Sequence, residues 1–218
     1  MSGSANCKRC GTCCRQGGPA LHGPDLKLLR SGTLRTEDLI TVRRGELAFQ
    51  PLADRPEPVT HEFLKLSGQH GTWCCLFYDE QSQGCRCYSH RPLACRLLDC
   101  TDTGPILDIA GQDLLTRFAC IAADDPLLPL IREHEQRCPC PDLHALAGDL
   151  AQDTLDPARL AELEATVALD LAFRSRVAAE LRLSVAQEMF SFGRPLFQLL
   201  LPLGLQAVNT PEGIRLHR

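Results

Sequence analysis

Cys7-Lys-Arg-Cys10-Gly-Thr-Cys13-Cys14 places four thiols within eight residues, with a two-residue gap used twice in succession. A thiolate is the soft ligand that zinc and iron–sulfur clusters prefer, and a two-residue gap lets two sulfurs from one turn reach the same metal. The chemistry of this segment is therefore metal binding through sulfur. A second group of cysteines supplies the distant ligands that a closed site needs: Cys75 on an expected strand, Cys85 after a turn, Cys95 on a short helix and Cys100 just beyond it.

The spacing of Cys7, Cys10 and Cys13 reproduces the C-x2-C-x2-C start of the bacterial ferredoxin run, but no x3-Cys-Pro continuation follows and Cys14 comes at once. A simple ferredoxin is excluded. Adjacent residues of an extended chain point to opposite sides, so Cys13 and Cys14 serve two centres more easily than one tetrahedral centre. By the same alternation Cys74 faces away from Cys75, whereas Cys85 and Cys87 share a face, so Cys87 can substitute in a site and Cys74 cannot. Cys138-Pro-Cys140 offers a weaker clamp, and Cys120, within Phe118-Ala-Cys-Ile-Ala, reads as a small buried apolar residue. His22, His61, His70, His90, His134, His144 and His217 show no paired metal spacing and read as surface residues, with His90 the one near the cysteines.

Cys7-x2-Cys10-Gly-x-Cys13-Cys14, then Cys75-Leu-Phe-Tyr-Asp79, then Cys85-x2-Tyr88-x2-Arg91-Pro92-x2-Cys95-Arg96 resembles the YkgJ-type CxxCxxCC family of zinc- or iron-chelating proteins, over about residues 7 to 100. The resemblance implies that Cys7, Cys10, Cys13, Cys14, Cys75, Cys85, Cys95 and Cys100 form the cluster, enough sulfur for two four-cysteine sites. Cys74, Cys87, Cys120, Cys138 and Cys140 are additions to the family pattern. Flagellin lysine methylases resemble the same family through a related cysteine cluster, which keeps an iron–sulfur enzyme or redox accessory protein as an alternative to a chelating or structural role.

Clustered thiolates repel one another without a cation, and a four-thiolate zinc or cubane centre still carries about −2. Lys8, Arg9, Arg15, Arg86, Arg91 and Arg96 stand ready to offset that charge, although Arg91 and Arg96 serve equally well by tying a helix to local carbonyls. The ferredoxin-like triple and the lack of paired histidines tilt the choice toward a 4Fe-4S cluster over zinc.

With thirteen cysteines in 218 residues and no charged-then-apolar leader, the chain reads as cytoplasmic, where reduced thiols serve metals rather than disulfides. The net charge of −4 gives no footprint for nucleic acid. Leu196 to Leu205 is too short for a membrane span and reads as core. There is no G-x-x-x-x-G-K-[ST], G-x-G-x-x-G or H-E-x-x-H, and a zinc-stabilised interaction module shows only half of its usual knuckle pattern. No catalytic nucleophile is singled out.

The fold expected from these patterns is α+β and mainly helical: a cysteine-rich metal-binding domain with short strands over residues 1–140, followed by packed C-terminal helices over 141–218. Pro24, Asp25 and Gly32 frame a helix over Asp25 to Ser31, and Thr36 caps another that stops at Gly45. Pro51 to Pro58 reads as loop, Val59 to Leu66 and Trp73 to Tyr78 as strands, and Ser89 or His90 as the start of a helix through Pro92. Asp125, Asp142 and Asp156 open later helices, the last running toward Phe192 with a bend and carrying Leu160, Leu163, Val167, Leu171 and Phe173. These helices are the candidate surface for a protein partner. A hairpin around Thr210-Pro-Glu-Gly213 closes the chain.

Overall fold

The computed structural model describes residues 7, 9–49, 53–69 and 71–218, and its class is α+β, mainly helical, with short strands in two-stranded sheets. The chain forms two compact units, each from two stretches: residues 1–40 with 63–120, and residues 41–62 with 121–218. No helix among the described residues is long and apolar enough to cross a membrane.

In the first unit Leu21, Leu64 and Leu115 lie on three separate segments joined in a ring. Leu21 N–H donates to Leu64 O, Leu64 N–H to Leu115 O, and Leu115 N–H to Leu21 O, each at 2.8 Å. All three side chains are buried, so this ring is both hydrogen-bonded and apolar. The turn Gly23–Asp25 runs into the helix Leu26–Arg30, and Gly32 ends it with a φ of 71°. Thr36 opens only the short turn Thr36–Asp38 and not the expected helix to Gly45. The strand Leu39–Val42 follows, because the β-branched run Ile40-Thr41-Val42 favours extended chain. That strand pairs with Phe63–Leu66, which is shorter than the expected Val59 to Leu66.

The expected strand Trp73 to Tyr78 contracts to Tyr78–Asp79, paired with Gly84–Cys85 in a hairpin, with a single bridge between Gly68 and Cys75 before it. The reason is chemical. The side-chain amide of Gln69 donates to the carbonyls of Cys75 (2.8 Å), Leu76 (3.3 Å) and Tyr78, taking acceptors that a ladder would use.

In the second unit Leu47–Phe49 pairs with Pro56–Pro58, where loop was expected for Pro51 to Pro58; residues 51 and 52 lie outside the described residues. Prolines are tolerated here because a two-stranded sheet is all edge. The helices Leu127–Arg137, Leu143–Gln152 and Pro157–Leu181 begin where the aspartates signalled, with Asp142 Oδ1 accepting from Ala145 N (2.9 Å) and Asp156 Oδ1 from Ala158 N (2.9 Å). The long run is broken rather than bent. Arg182 takes a φ of 55°, and Ser184 caps a new helix, Val185–Phe192. Leu163 and Val167 join Leu196, Leu199, Leu200 and Leu205 in one buried cluster, so the apolar stretch near the C-terminus is core. The hairpin Gln206–Thr210 with Gly213–His217 closes the chain as expected.

Candidate metal centre

The helix Thr12–Gln16 carries Cys13 and Cys14 and begins after Gly11, whose φ of 74° is left-handed. A Cβ on Gly11 would collide with the Tyr78 ring, so only glycine lets the segment between Cys10 and Cys13 lie against it. Arg15 fastens the contact: Nη2 donates to Tyr78 OH (2.9 Å) and Nη1 to Cys10 O (3.3 Å). Cys75 N–H donates to Cys14 O at 2.7 Å, joining the first cysteine group to the second through backbone. Cys85 follows in the hairpin and Cys95 lies in the helix Leu93–Leu97.

That last helix is held by a residue the sequence reading did not single out for the site. Asp25, fully buried, accepts from Leu93 N–H through Oδ1 (2.8 Å) and from His22 N–H through Oδ2 (3.0 Å). It thereby caps the Cys95 helix from a distant segment. The motif Gly-Pro-Asp signalled a helix start at Asp25, but nothing local announces a second helix as its target.

The eight cysteines expected as ligands, Cys7, Cys10, Cys13, Cys14, Cys75, Cys85, Cys95 and Cys100, all line one cavity of about 60 Å³, and Cys87 makes a ninth. Among the described residues of that wall, cysteine is the one type present of the metal-binding types Cys, His, Asp and Glu. Cys13 Sγ and Cys14 Sγ are 4.0 Å apart, and Cys85 Sγ and Cys87 Sγ 3.6 Å. Cys74 is not among the described residues that line the cavity, although the strand expected to turn it away from Cys75 is not formed there.

Crowded thiols in a partly dry wall resist ionisation. Burial, reinforced by neighbouring Cys13, pushes Cys14 up to about 12, and burial also raises Cys13, Cys75 and Cys95. Cys85 goes the other way, down to about 6, chiefly because the Cys87 thiol hydrogen-bonds to it, with Arg91 and Arg86 adding positive charge. Cys10 is lowered by its hydrogen bond with Thr12.

The arginines act more on backbone and rings than on sulfur. Arg91 Nε donates to Tyr88 O (3.0 Å), Arg86 to Leu76 O, and the guanidiniums of Arg9 and Arg91 lie 4.4 and 3.8 Å from the centroid of the Tyr88 ring. Lys8 lies outside the described residues. His90 sits with Nδ1 against Ser89 Oγ (2.8 Å) and does not line the cysteine cavity. Cys120 is half-buried with its thiol toward Thr116 O (3.5 Å), and burial raises it to about 11.

A second group of ligand-type residues, His134, Cys138 and Asp170, is buried in the other unit. His134 was expected at the surface; it is fully buried, one helical turn before Cys138. Asp170 Oδ1 accepts from His134 Nε2 (2.6 Å) and Arg174 Nε (2.8 Å), while Oδ2 accepts from Leu196 N–H (2.9 Å). Arg43 Nη2 donates to Cys138 O at 2.5 Å. Asp170 is thus taken up by His134, Arg174 and the Leu196 amide, an ion-paired network beside a second arginine, while His134 Nδ1 and Arg43 Nη1 are buried with no hydrogen-bond partner among the described residues. Cys140, whose Cβ packs by Gly45, shares in the core of the same unit.

Nine thiols converging on one cavity, with no described His, Asp or Glu on its wall, fit a soft metal or cluster. Comparison with curated proteins and with solved structures found no significant match. A scan against protein families matches residues 6–112 to CxxCxxCC, described as a "putative zinc- or iron-chelating domain". The matched stretch contains every cysteine that lines the cavity, and over residues 6–112 the chain is similar to the CxxCxxCC family.

Proposed function

We propose that the cysteine cavity is a double metal centre, with Cys7, Cys10, Cys13 and Cys100 as one four-thiolate site and Cys14, Cys75, Cys85 and Cys95 as the other. The observation that carries this reading is the convergence of nine cysteines on a single cavity of about 60 Å³. The division keeps the C-x2-C-x2-C triple of Cys7, Cys10 and Cys13 in one site. The electrostatics couples the two sets: after burial, Cys13 feels Cys14 before Cys7 and Cys100, and Cys95 feels Cys75 and then Cys13 before Cys85 and Cys14. Cys13 and Cys14, 4.0 Å apart, stand where the two sites meet.

Iron–sulfur clusters of the 4Fe-4S type suit the cysteine-rich wall and the C-x2-C-x2-C opening, and the cavity has room for more than a bare ion. Such a group, when bound, supplies one-electron chemistry. The protein's part is to exclude water, to hold the sulfurs through the Cys14 to Cys75 and Asp25 to Leu93 bonds, and to surround them with Arg86 and Arg91. Sites closed by four cysteines leave no open coordination position, which suits electron transfer or metal holding better than substrate activation.

Zinc is the second reading. Two thiolates on one zinc lie about 3.8 Å apart, from a Zn–S bond of about 2.3 Å and tetrahedral geometry. The Cys85 and Cys87 sulfurs, 3.6 Å apart, are near that value, whereas Cys13 and Cys14, 4.0 Å apart, fall in different sites in this division. Anaerobic purification followed by iron, zinc and acid-labile sulfide analysis, with a visible spectrum, separates the two. Iron with matching sulfide supports clusters; colourless protein with stoichiometric zinc supports closed zinc sites; neither metal at stoichiometry rejects both.

A further inference from the structure

Two four-thiolate sites use eight cysteines, yet nine line the cavity, and the ninth is Cys87. Its position differs from the rest. Cys87 also lines a second, open cleft of about 440 Å³, whose wall includes Thr33, Asp38, Arg86 and His90. One half-buried side chain thus belongs both to the interior cavity and to a cleft that solutes can enter. Its sulfur lies 3.6 Å from that of Cys85, about the separation of two thiolates on one metal ion. Either sulfur can occupy that corner of the site without a large backbone movement.

We propose that Cys87 is an exchange ligand, through which a metal ion in the site holding Cys85 is passed to an acceptor thiolate arriving in the cleft. The proposal rests on the double-centre reading above. In the exchange, the Cys87 sulfur forms a bond to the metal as the Cys85 sulfur gives up its own, and the proton of the Cys87 thiol passes to Cys85. The acceptor thiolate then replaces Cys87 from the cleft side, and Cys14, Cys75 and Cys95 give up their bonds in turn to further acceptor thiolates, each freed sulfur taking a proton from an incoming thiol. No electrons change hands, so neither oxidant nor reductant is needed. A tethered thiol beside the bond that breaks acts at high effective concentration, which is what makes transfer faster than release to solvent.

The test uses the full chain, reduced and loaded with zinc, gel-filtered, and mixed with glutathione and a chromogenic zinc chelator. Cys87→Ser is expected to keep the wild-type zinc stoichiometry and to slow zinc transfer by about tenfold or more. Cys74→Ser, whose sulfur lies off the cavity wall, should transfer at the wild-type rate. Transfer by Cys87→Ser at the wild-type rate overturns the proposal, because the thiol is then a bystander. Loss of a full equivalent of zinc in Cys87→Ser also overturns it, because Cys87 is then a permanent ligand. Failure of the wild-type chain to bind zinc stoichiometrically also overturns the proposal, since there is then no ion to pass, while the double-centre reading falls only if iron with matching sulfide is absent as well.

Discussion

The amide of Cys75 donates to the carbonyl of Cys14 at 2.7 Å, and this bond joins the last cysteine of the first group to the first candidate ligand of the second. Their side chains share one cavity wall because their backbones are already fastened. Part of the geometry is thus fixed by peptide groups, which makes individual sulfurs separable from the scaffold that carries them.

Replacing Cys10 or Cys95 by Ser removes one donor from each proposed site. Metal should fall below stoichiometry in both variants, and because metal-binding free energy is also folding free energy, the thermal midpoint of the loaded protein should drop. Elemental analysis beside a melting curve checks both. Retention of full metal in either variant would reject its assignment as a ligand, while Cys74→Ser should keep its metal.

Asp25 makes two hydrogen bonds while fully buried. Asp25→Ala leaves the amides of His22 and Leu93 without that acceptor, at a cost of about 1–3 kcal/mol for each donor left unsatisfied. Asp25→Asn, which keeps one acceptor oxygen, should lose roughly half as much. Denaturant unfolding of the metal-free chain measures the loss; a competition titration should show weaker metal binding, since the Cys95 helix loses its cap.

Gly11→Ala introduces a side chain where φ is 74° and where the Tyr78 ring already stands. The left-handed backbone alone costs about 1–2 kcal/mol, and the collision adds to it. The expected phenotype is metal binding weakened together with loss of the Arg15 to Tyr78 contact. Tyrosine fluorescence and metal titration report on the two effects; an unchanged affinity would show that the segment has another way to lie down.

In the second unit, burial holds His134 below its ordinary value of 6.5 against the opposing hydrogen bond from Asp170. Burial would raise Asp170, but the His134 hydrogen bond, the charge of Arg174 and the Leu196 amide together hold it below 3.8. Both folded values lie below the unfolded ones, so both contributions are full at neutral pH and are lost on acidification. The His134 share goes first, as pH falls below about 6.5, and the Asp170 share only below about 3.8. Unfolding free energy of the metal-free chain measured from pH 7 to 5 should decline. Asp170→Asn should cost about 3–5 kcal/mol by leaving Arg174 buried without its partner. A flat profile in His134→Gln, set against a decline in wild type, would assign the first loss to this imidazole.

The cysteine wall was legible because sulfur ligation leaves a local signature: the short gaps of Cys7 to Cys14 and the turn before Cys85 survive in one dimension. The helices opened by Asp142 and Asp156 were legible for the same reason, since a cap is a contact between near neighbours. What was not legible is long-range. Asp25 resembles an ordinary helix start until Leu93 is known to face it, and His134 resembles a surface residue until Asp170 and Arg174 arrive from another helix. Gln69 erased an expected strand by competing for its carbonyls. Thr36 differs in kind, because the β-branched run Ile40-Thr41-Val42 is itself a local strand signal and prevails over the cap.

Residues 41–62 lie between the two halves of the first unit in sequence but are built into the second, where Thr41 donates to Phe190 O, Glu46 pairs with Arg194 at 2.7 Å and Gly45 packs by Cys140. During synthesis this stretch leaves the ribosome long before those partners exist. All the cavity cysteines are therefore translated while the connection between their two groups is still unanchored. Nascent chains of this protein should need reduced thiols or early metal to avoid mispairing, and a version truncated after residue 140 would keep its ligands yet leave that connection without Phe190 and Arg194.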